Sequence, residues 1–402
     1  MPTNPSTVPR TAGPLKVPVE PAQGGWYTAA EYDAVRLAVT ASDDWRTGWR
    51  SAEYVSGFED AFADYTGASR AVAFNSGGTA LEMVLRALAI RSGDEVISCA
   101  INFVGPHLAV IGQGGRLLLA EPDPRTLNLD AADTERLMGP HTRAILITHW
   151  NGAIADIRRF TELAALHPHP VHGPPAVIVD AARACGGRTP SGKRVGAEGW
   201  ATVFSFESKK LMTTFGQGGM VTTGDHDLAE RLRALRTYGG RDGWGTNQML
   251  TKIQAAVGLV QLARLDGMNA ARISRAHERT AALTDIPELV LPPMLGESRH
   301  LYYRHNLLVP PSWAGEGRDE LMNVLATRYG VGSIISDPVT YLGHGLIRAH
   351  TAGQQCPRAE QLAARLLCPC LHPRMEPADE DLVRDSVRAA ITDIACTRPA
   401  AA

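Results

Sequence analysis

Short apolar runs alternate with helix-length amphipathic segments through the first half of this 402-residue chain, and this alternation constrains its fold more than any other feature. The runs, rich in Val, Ile, Leu and Ala, occupy residues 71–74, 95–99, 116–120, 144–147, 177–179 and 202–206. Strands that alternate with helices are typical of a largely parallel sheet covered by helices on both faces. The sequence therefore predicts an α/β fold, with candidate site residues directly after the strands, where such sheets bind ligands.

A second, smaller domain is predicted from a change of pattern in the last third of the chain. A chain of this length exceeds one small core and suits one large and one small domain. Residues 247–272 have a long helical pattern, which we interpret as a bridge between the domains. Strand-like pieces and then helices follow, at residues 302–309, 331–335, 359–367 and 380–394. We therefore predict a tail, a large domain and a small α+β domain at residues 1–27, 28–265 and 266–402.

Composition and charge exclude several classes of protein. The formal net charge of −2 provides no basic field for nucleic acid. No run reaches the roughly 18 consecutive apolar residues of a membrane span. Residues 1–25 are rich in Pro and Thr and lack the apolar centre of a signal peptide. We therefore expect a cytoplasmic protein with a flexible or strapping tail, and neither nucleic acid nor a membrane as partner.

The six cysteines do not form a metal-binding pattern. Only Cys368 and Cys370 lie close together, and one intervening residue is poor spacing for a tetrahedral zinc site. No pair of the CxxC type is present to complete such a site. The sequence therefore predicts reduced thiols and no metal.

Residues 74–81, FNSGGTAL, place small residues between a predicted strand and a predicted helix. Backbone N–H groups at the start of a helix, together with the positive end of its dipole, suit a phosphate group. The segment lacks the GxxxxGK[ST] pattern of a Walker loop. When residues 74–81 are considered alone, a glycine-rich turn that binds no ligand explains them equally well.

Asp180 directly follows the buried run at residues 177–179. A buried carboxylate needs a partner, because burial without one is costly. A protonated ring nitrogen is one such partner, since a carboxylate keeps it charged and strengthens the ring as an electron sink. A helix N-cap is the alternative interpretation.

Lys210 lies between the apolar run at residues 202–206 and a glycine-rich turn at residues 216–219. A lysine that loses solvation there has a lowered pKa, and its free amine can form a Schiff base with an aldehyde. A lysine in such a position is, by itself, weak support for a Schiff-base site, because most surface lysines have no such role. Together, however, the three segments supply a phosphate cradle, an acid and a lysine in the order that a pyridoxal-phosphate (PLP) site requires.

From about Trp45 to about Val387 the chain resembles the DegT–StrS family of sugar aminotransferases. The resemblance rests on Phe58-Glu59, Tyr65-Thr66-Gly67, residues 75–81, residues 93–97, Asp180-Ala181-Ala182, residues 204–206 with Lys210 and Gly218-Gly219, and residues 253–256. It implies the PLP-dependent transferase fold of type I, which is the aspartate-aminotransferase-like fold. It also implies PLP as cofactor.

The resemblance assigns the two catalytic roles. Lys210 matches the lysine that forms the Schiff base with the cofactor, since it stands five residues after Ser205, as in the family. Adjacent Lys209 is the alternative, because the length of the turn decides which amine faces inward. Asp180 matches the partner of the pyridine nitrogen.

The resemblance also assigns residues that hold the cofactor. Gly78, Thr79 and Ser205 match the phosphate contacts. Phe103 matches the aromatic ring that stacks on the pyridine ring, with core filling as the alternative. Asn247 matches the asparagine that a neighbouring subunit lends to the phosphate, which implies a homodimer with shared active sites.

Four departures from the family pattern concern the substrates. Arg183 stands where Gln or His is usual near the cofactor's phenolic oxygen, and its charged fork suits a carboxylate, a phosphate or that oxygen. Met249 stands where the family often has Arg, so the positive charge at this position is missing. Arg183 is a candidate to supply that charge instead. The turn at residues 216–219 is neutral and is lengthened by Phe215. Residues 337–346 depart most from the usual substrate loop.

The resemblance implies transfer of an amino group from glutamate or glutamine to a keto sugar, nucleotide-linked in many members, or to a keto-cyclitol. Such reactions belong to amino-sugar, antibiotic or other secondary-metabolite biosynthesis. One alternative is another PLP reaction, namely oxidation or a dehydration, although dehydrating members replace the lysine with His. A catalytically silent regulatory relative is the other alternative.

Overall fold

The computed structural model describes residues 14–20, 26–48, 52–296 and 299–397. Its large sheet contains β1 (Arg70–Phe74), β2 (Glu95–Cys99), β3 (Arg116–Ala120), β4 (Thr142–Thr148), β5 (Ala176–Asp180), β6 (Ala201–Ser205) and β7 (Gly219–Thr223). The strand order is β1-β7-β6-β5-β4-β2-β3, and β7 runs antiparallel to both of its neighbours. The remaining neighbours in the sheet pair in parallel. The predicted α/β fold with a mostly parallel sheet is confirmed.

β7 is absent from the predicted strands. Its sequence, GMVTT, starts with glycine and ends in two polar residues, so it lacks the apolar character of the other runs. All five of its residues are nevertheless buried, and Thr222 donates a hydrogen bond to the backbone oxygen of Gly196 (2.8 Å). Because its hydroxyls are satisfied inside the protein, the strand is buried without an apolar sequence.

Several of the helices begin directly after a residue whose side chain caps the first turn. They are α1 (Ala29–Thr40), α2 (Ala52–Thr66), α3 (Gly77–Ala87), α4 (Val104–Gly112), α5 (Ala131–Leu137), α6 (Ile157–Leu166), α7 (His226–Arg236), α8 (Lys252–Leu283), α9 (Glu316–Val324), α10 (Thr340–Gly343), α11 (Gly345–His350), α12 (Pro357–Arg365) and α13 (Pro377–Thr397). Thr28 forms a capping box with Glu31 before α1, and Thr251 forms one with Gln254 before α8. For this reason α8 begins at Lys252 rather than at the predicted residue 247.

Helices cover both faces of the sheet and bury it. On one face α3 packs on β6 and β7 and contacts α4 and α7. On the other face α2 packs on β1 and α8. Phe58 and Phe62 of α2 meet Phe204 and Phe206 there, with ring centroids 4.9–6.0 Å apart. The sheet is therefore a rigid base for the residues at its carboxyl edge.

The small domain has its own antiparallel sheet, in the order β8 (Leu307–Leu308), β10 (Leu366–Pro369) and β9 (Ser333–Ile334). The strand predicted at residues 302–309 is shortened to two residues. Residues 302–306 are instead buried in irregular backbone, where the ring of Tyr302 stacks on that of His300 at 4.0 Å. Most of the strand-like segment therefore does not form a strand, because side-chain contacts fix residues 302–306 in another conformation.

α8 continues through the predicted boundary at residue 265 and ends at Leu283, so that boundary falls inside a helix and stays a prediction. Of the predicted tail, residues 14–20 and 26–27 are described, and residues 16–19 contact the small domain. Val17 is buried and pairs with Val331. Within the described residues, no helix combines the length and the apolarity that crossing a membrane requires.

Candidate active site

The predicted site residues meet at one edge of the large sheet, where β1, β2, β5 and β6 end. The strand register brings the ends of two of these strands together, since Gly219 of β7 pairs with both Phe74 and Ser205. Asp180, the last residue of β5, pairs with Val203 of β6. The loops that follow β1, β5 and β6 therefore adjoin one another, as the rule for parallel sheets predicts.

The start of α3 forms a small concave surface of hydroxyl and backbone groups. Ser76 caps the helix, since its Oγ accepts the backbone N–H of Thr79 (3.1 Å) and lies 2.9 Å from the Thr79 hydroxyl. A Cβ on Gly77 would lie 2.8 Å from the Cβ of Ser205, so only glycine lets these loops approach. A Cβ on Gly78 would meet nothing closer than 3.8 Å, which leaves its backbone open. Gly78, Thr79 and Ser205 thus lie together at the positive end of a helix, an arrangement that suits phosphate.

Asp180 is a buried acid without a helix behind it. Its Oδ1 accepts the backbone N–H of Ala182 (2.9 Å), and residues 181–187 form turns, so the helix N-cap alternative is wrong. Burial raises the pKa of Asp180, while the charges of Lys210 and Arg183 act in the opposite direction. The carboxylate is therefore poised to pair with one more positive group.

The two neighbouring lysines face different surroundings. Lys210 Nζ lies 5.3 Å from the ring centroid of Tyr303 and interacts electrostatically with Asp180. Lys209 Nζ instead binds the carboxylate of Glu20 at 2.9 Å, and its side chain is 49% exposed. The geometry therefore favours Lys210 over Lys209 as the amine of the site.

Phe103 is 48% exposed, so the core-filling alternative for this residue is wrong. The residue directly precedes α4, and its backbone N–H is held by the side chain of buried Asn102 (2.8 Å). Asn102 in turn donates to Thr148 at the end of β4 (2.9 Å). The aromatic ring is thus presented at the sheet edge on a fixed backbone, with a face available for stacking.

Asn247 lies on the surface beside the loop that follows β1. Its Oδ1 accepts the backbone N–H of Met249 (3.5 Å). The neighbouring Gln248 binds Asn75 twice, through a backbone bond of 3.0 Å and a side-chain bond of 2.8 Å. The segment is therefore anchored to the phosphate-side loop of its own chain, while the Asn247 side chain is exposed.

Arg183 is engaged by a carboxylate of the chain itself. Its guanidinium forms a bidentate ion pair with Asp337, in which the Nη2 to Oδ1 distance is 3.0 Å. It also donates to Asn151 Oδ1 (2.9 Å) and lies 5.1 Å from the ring centroid of Tyr303. Burial opposes its charge, but Asp337 more than compensates, and the pKa of Arg183 is raised. We predicted that the guanidinium of Arg183 faces a substrate or the cofactor. In the structure it binds Asp337 of the small domain.

A polar network around Arg183 was not predicted as part of the site. Trp150 Nε1 donates to Asp337 Oδ2 (3.0 Å), and Ser336 donates to Asn151 Oδ1 (2.8 Å). Asn151 adopts a left-handed conformation (φ 48°), which asparagine tolerates better than most residues. Trp150 and Asn151 come just after β4, and this position in the sequence could have predicted them as site residues. Asp337 has no such signal, because it lies in irregular backbone between β9 and α10.

Tyr303 lies near Lys210, and His149 lies next to Asp180, to whose backbone oxygen it donates its backbone N–H (3.0 Å). Tyr303 is buried, and although burial alone raises its pKa, the charges of Lys210, Arg183 and Arg304 outweigh it and lower the pKa. His149 is buried, and its Nδ1 accepts the backbone N–H of Ala155 (3.1 Å), so its ring stabilises the local backbone. Burial lowers the pKa of His149 to about 3.

This arrangement fits PLP group by group. The start of α3 can hold the phosphate, the exposed face of Phe103 can stack on the ring, and buried Asp180 can pair with the ring nitrogen. Lys210 supplies the amine on the same sheet edge. Among the described residues, no three His, Cys, Asp or Glu side chains are grouped as metal ligands.

Comparisons with known proteins agree with this geometry. The model of the DegT/DnrJ/EryC1/StrS aminotransferase family matches residues 30–388. The dTDP-3-amino-3,4,6-trideoxy-alpha-D-glucose transaminase of Streptomyces venezuelae is 35% identical over 365 residues, which cover 89% of this chain and 92% of that protein. The L-glutamine:scyllo-inosose aminotransferase of Streptomyces griseus is 34% identical over 275 residues, which cover 64% of this chain and 63% of that protein.

A solved structure extends the comparison to three dimensions. DesV of S. venezuelae, in complex with a ketimine intermediate, is 33% identical and superposes with a TM-score of 0.82. The match covers 94% of this chain and 98% of DesV. Sequence and fold therefore agree over nearly the whole length of the protein. The chain belongs to the DegT/DnrJ/EryC1/StrS aminotransferase family and is a PLP-dependent aminotransferase.

Proposed function

We propose that this enzyme transfers an amino group from glutamate or glutamine to a keto sugar, in particular a nucleotide-linked one, or to a keto-cyclitol. The observation that carries the proposal is the placement of Lys210 within electrostatic reach of Asp180 and near the ring of Tyr303, on the loop after β6, whose last residue lies against the start of α3. Two relatives identified by sequence, a deoxysugar transaminase and a scyllo-inosose aminotransferase, support these acceptor classes. The product would serve amino-sugar or antibiotic biosynthesis.

Several residues bind and orient the cofactor in this proposal. PLP, when bound, supplies an aldehyde that condenses with amines and a ring that takes up electron density. Gly78 donates its backbone N–H to the phosphate, and the Thr79 and Ser205 hydroxyls complete that contact. Phe103 covers one face of the ring and excludes water from it.

Lys210 and Asp180 do the proton chemistry. Lys210 Nζ would hold the cofactor and would act as the general base that takes the α-proton of an amino donor. Asp180 would accept a hydrogen bond from the protonated ring nitrogen and so keep the proton there. Arg183 lies close to both residues, and we assign it the side of the site that faces the cofactor's phenolic oxygen, with its charge balanced by Asp337.

We further propose that the active enzyme is a cytoplasmic homodimer in which Asn247 reaches the phosphate of the neighbouring subunit. Asn247 is exposed, and the large aromatic side chains of Tyr238 and Trp244 near it in sequence are 70% and 57% exposed. Aromatic side chains are enriched at protein interfaces relative to the rest of the surface. Asn247→Ala should weaken PLP binding without unfolding the subunit.

Incubation of the holoenzyme with L-glutamate or L-glutamine tests the proposed function. Transamination predicts loss of the visible absorbance of the bound cofactor together with formation of one equivalent of keto acid. A set of keto-sugar and keto-cyclitol acceptors is then screened for return of that absorbance. An unchanged spectrum with every amino donor would instead support a catalytically silent protein. Borohydride reduction followed by peptide mapping should place the cofactor on Lys210.

A further inference from the structure

Glu20, from the N-terminal segment, lies between two cations at the edge of the active site. Its carboxylate binds Lys209 Nζ at 2.9 Å and forms a second ion pair with Arg304 Nη2. Burial alone raises the pKa of Glu20, but Arg304 and Lys209 outweigh this effect, so the pKa lies below its ordinary value. The carboxylate is therefore charged at neutral pH.

The two cations are close to the reacting amine. Lys209 directly precedes Lys210, and Arg304 directly follows Tyr303. The ring of Tyr303 lies between the two groups, with its centroid 5.3 Å from Lys210 Nζ and 5.5 Å from the guanidinium carbon of Arg304. An anion bound by Lys209 and Arg304 would consequently lie within the span of one substrate molecule from Lys210.

The segment that carries Glu20 is attached to the small domain by its backbone. Lys16 and Val17 donate to the backbone oxygen of Gly330 (2.9 and 3.0 Å), and Gly332 donates to that of Val17 (2.9 Å). A Cβ on Gly332 would lie 2.4 Å from the backbone nitrogen of Val19, so the contact requires glycine. These bonds do not involve Glu20, whose carboxylate can therefore leave the cations while the segment stays docked.

The cations provide donors suited to an incoming anion. Arg304 is only 8% exposed, and its Nε has no hydrogen-bond partner among the described residues. Lys209 is half exposed and so is open to an approaching ligand. If Glu20 moves away, a buried guanidinium remains without its counterion, and a charged guanidinium in that state favours another carboxylate or a phosphate.

We propose that Lys209 and Arg304 form a substrate-binding subsite for an anionic group, either a carboxylate of the amino donor or a phosphate of the acceptor, and that Glu20 occupies this subsite until the substrate displaces it. The inference rests on the proposed function and adds a specificity determinant to it. Glu20 acts as an internal competitor. The substrate that supplies the anion replaces it, so the subsite would select either for a donor with a second carboxylate or for an acceptor that carries a phosphate.

Direct binding measurements on the PLP holoenzyme test the subsite. Two unreactive probes, glutarate for the carboxylate and inorganic pyrophosphate for the phosphate, are titrated by calorimetry into the parent protein and Glu20→Gln. Because the amide removes the competing charge and keeps the shape, we expect the dissociation constant of at least one probe to fall by about fivefold or more. The probe that gains affinity identifies which substrate supplies the anion.

Two further variants make the result decisive. Glu162→Gln removes an exposed carboxylate from the surface pair with Arg158 on α6 (3.3 Å) and should leave both affinities unchanged. Lys209→Gln in the Glu20→Gln background should abolish the gain. Unchanged or weaker binding of both probes to Glu20→Gln would overturn the inference and leave Glu20 as a structural ion pair. Since no measurement uses turnover, failure of the subsite is distinguishable from failure of the proposed reaction.

Discussion

The two walls of the active site are built in different ways. The wall from the large domain consists of residues directly after the strands, such as Asp180 after β5 and Ser205 at the end of β6. The facing wall consists of Tyr303 and Asp337, which come from irregular backbone of the small domain and are held by polar contacts to Arg183 and Asn151. Side chains on the first wall are thus positioned by the sheet. Those on the second wall depend on particular ion pairs.

This difference separates chemistry from recognition. Groups that must stay within hydrogen-bond distance of the cofactor lie on the rigid sheet edge, where a precise position is easiest to maintain. The groups of the facing wall lie in irregular backbone, and Asp337 belongs to residues 337–346, which depart most from the family pattern. Substitutions on the first wall should therefore affect rate more than stability, and substitutions on the second wall should affect stability as well.

Lys210 should give the largest effect on the first wall. Lys210→Ala removes both the covalent anchor and the general base, and we expect turnover with glutamate or glutamine to fall by roughly 10³-fold or more. Single-turnover absorbance measurements on the cofactor-loaded protein would show it. Lys193→Ala, which removes an exposed lysine that has no assigned role in the site, is the matched control and should keep the rate. Normal turnover of the Lys210 variant would refute the assignment of this wall.

Asp337 should give the largest effect on the second wall. Asp337→Asn leaves the buried guanidinium of Arg183 without its counterion, and breaking such a pair from one side costs about 3–5 kcal/mol in the free energy of unfolding. Urea unfolding of the holoenzyme measures this loss. Asp285→Asn breaks the exposed pair with Arg388 (2.8 Å) and should cost under about 1 kcal/mol. Equal losses in the two variants would mean that the facing wall does not depend on its ion pair.

The contrast between the walls also explains what could be predicted from the sequence. Strand ends are local features of the sequence, so the apolar runs were enough to predict the α/β fold. The rule that parallel sheets bind ligands beyond their strand ends then predicted that Asp180 and Ser205 lie at one edge. Lys210 was identified by its distance from β6 and by the family resemblance. Predicting the position of Lys210 requires only that β6 and the turn after it are predicted correctly.

The facing wall could not be predicted in the same way. Arg183 and Asp337 are separated by 154 residues, and no local pattern relates a turn after β5 to an irregular loop of the small domain. Arg183 was recognised as unusual from its position, yet its partner depends on how the two domains pack. The same holds for Glu20, whose contacts with Lys209 and Arg304 span 189 and 284 residues. Burial of a charge signals only that a partner exists.

Asp180 offers a sharper comparison with Asp337, because both are buried acids near Arg183. Asp180→Asn keeps the hydrogen-bonding shape but loses the charge that holds a proton on the ring nitrogen, and we expect turnover to fall roughly 10²-fold. The free energy of unfolding should change little, since burial already raises the pKa of Asp180 and its charge is costly in the folded protein without a cofactor. Kinetics and urea unfolding of the apoprotein separate the two effects. A large loss of stability with an unchanged rate would reverse the roles assigned to the two acids.

Phe103 should give the smallest effect, and it tests whether the first wall holds the cofactor by stacking. Phe103→Ala removes a half-exposed ring, so the free energy of unfolding should be nearly unchanged, while loss of stacking costs about 0.5–1.5 kcal/mol. The dissociation constant of PLP, measured by fluorescence titration of the apoprotein, should therefore rise by up to about tenfold. Tyr32→Ala, at an exposed aromatic of α1, is the control for removing a surface ring and should leave PLP affinity intact. If the two variants bind PLP equally well, the exposed ring of Phe103 has no part in holding the cofactor, and the phosphate contacts at the start of α3 must supply the affinity instead.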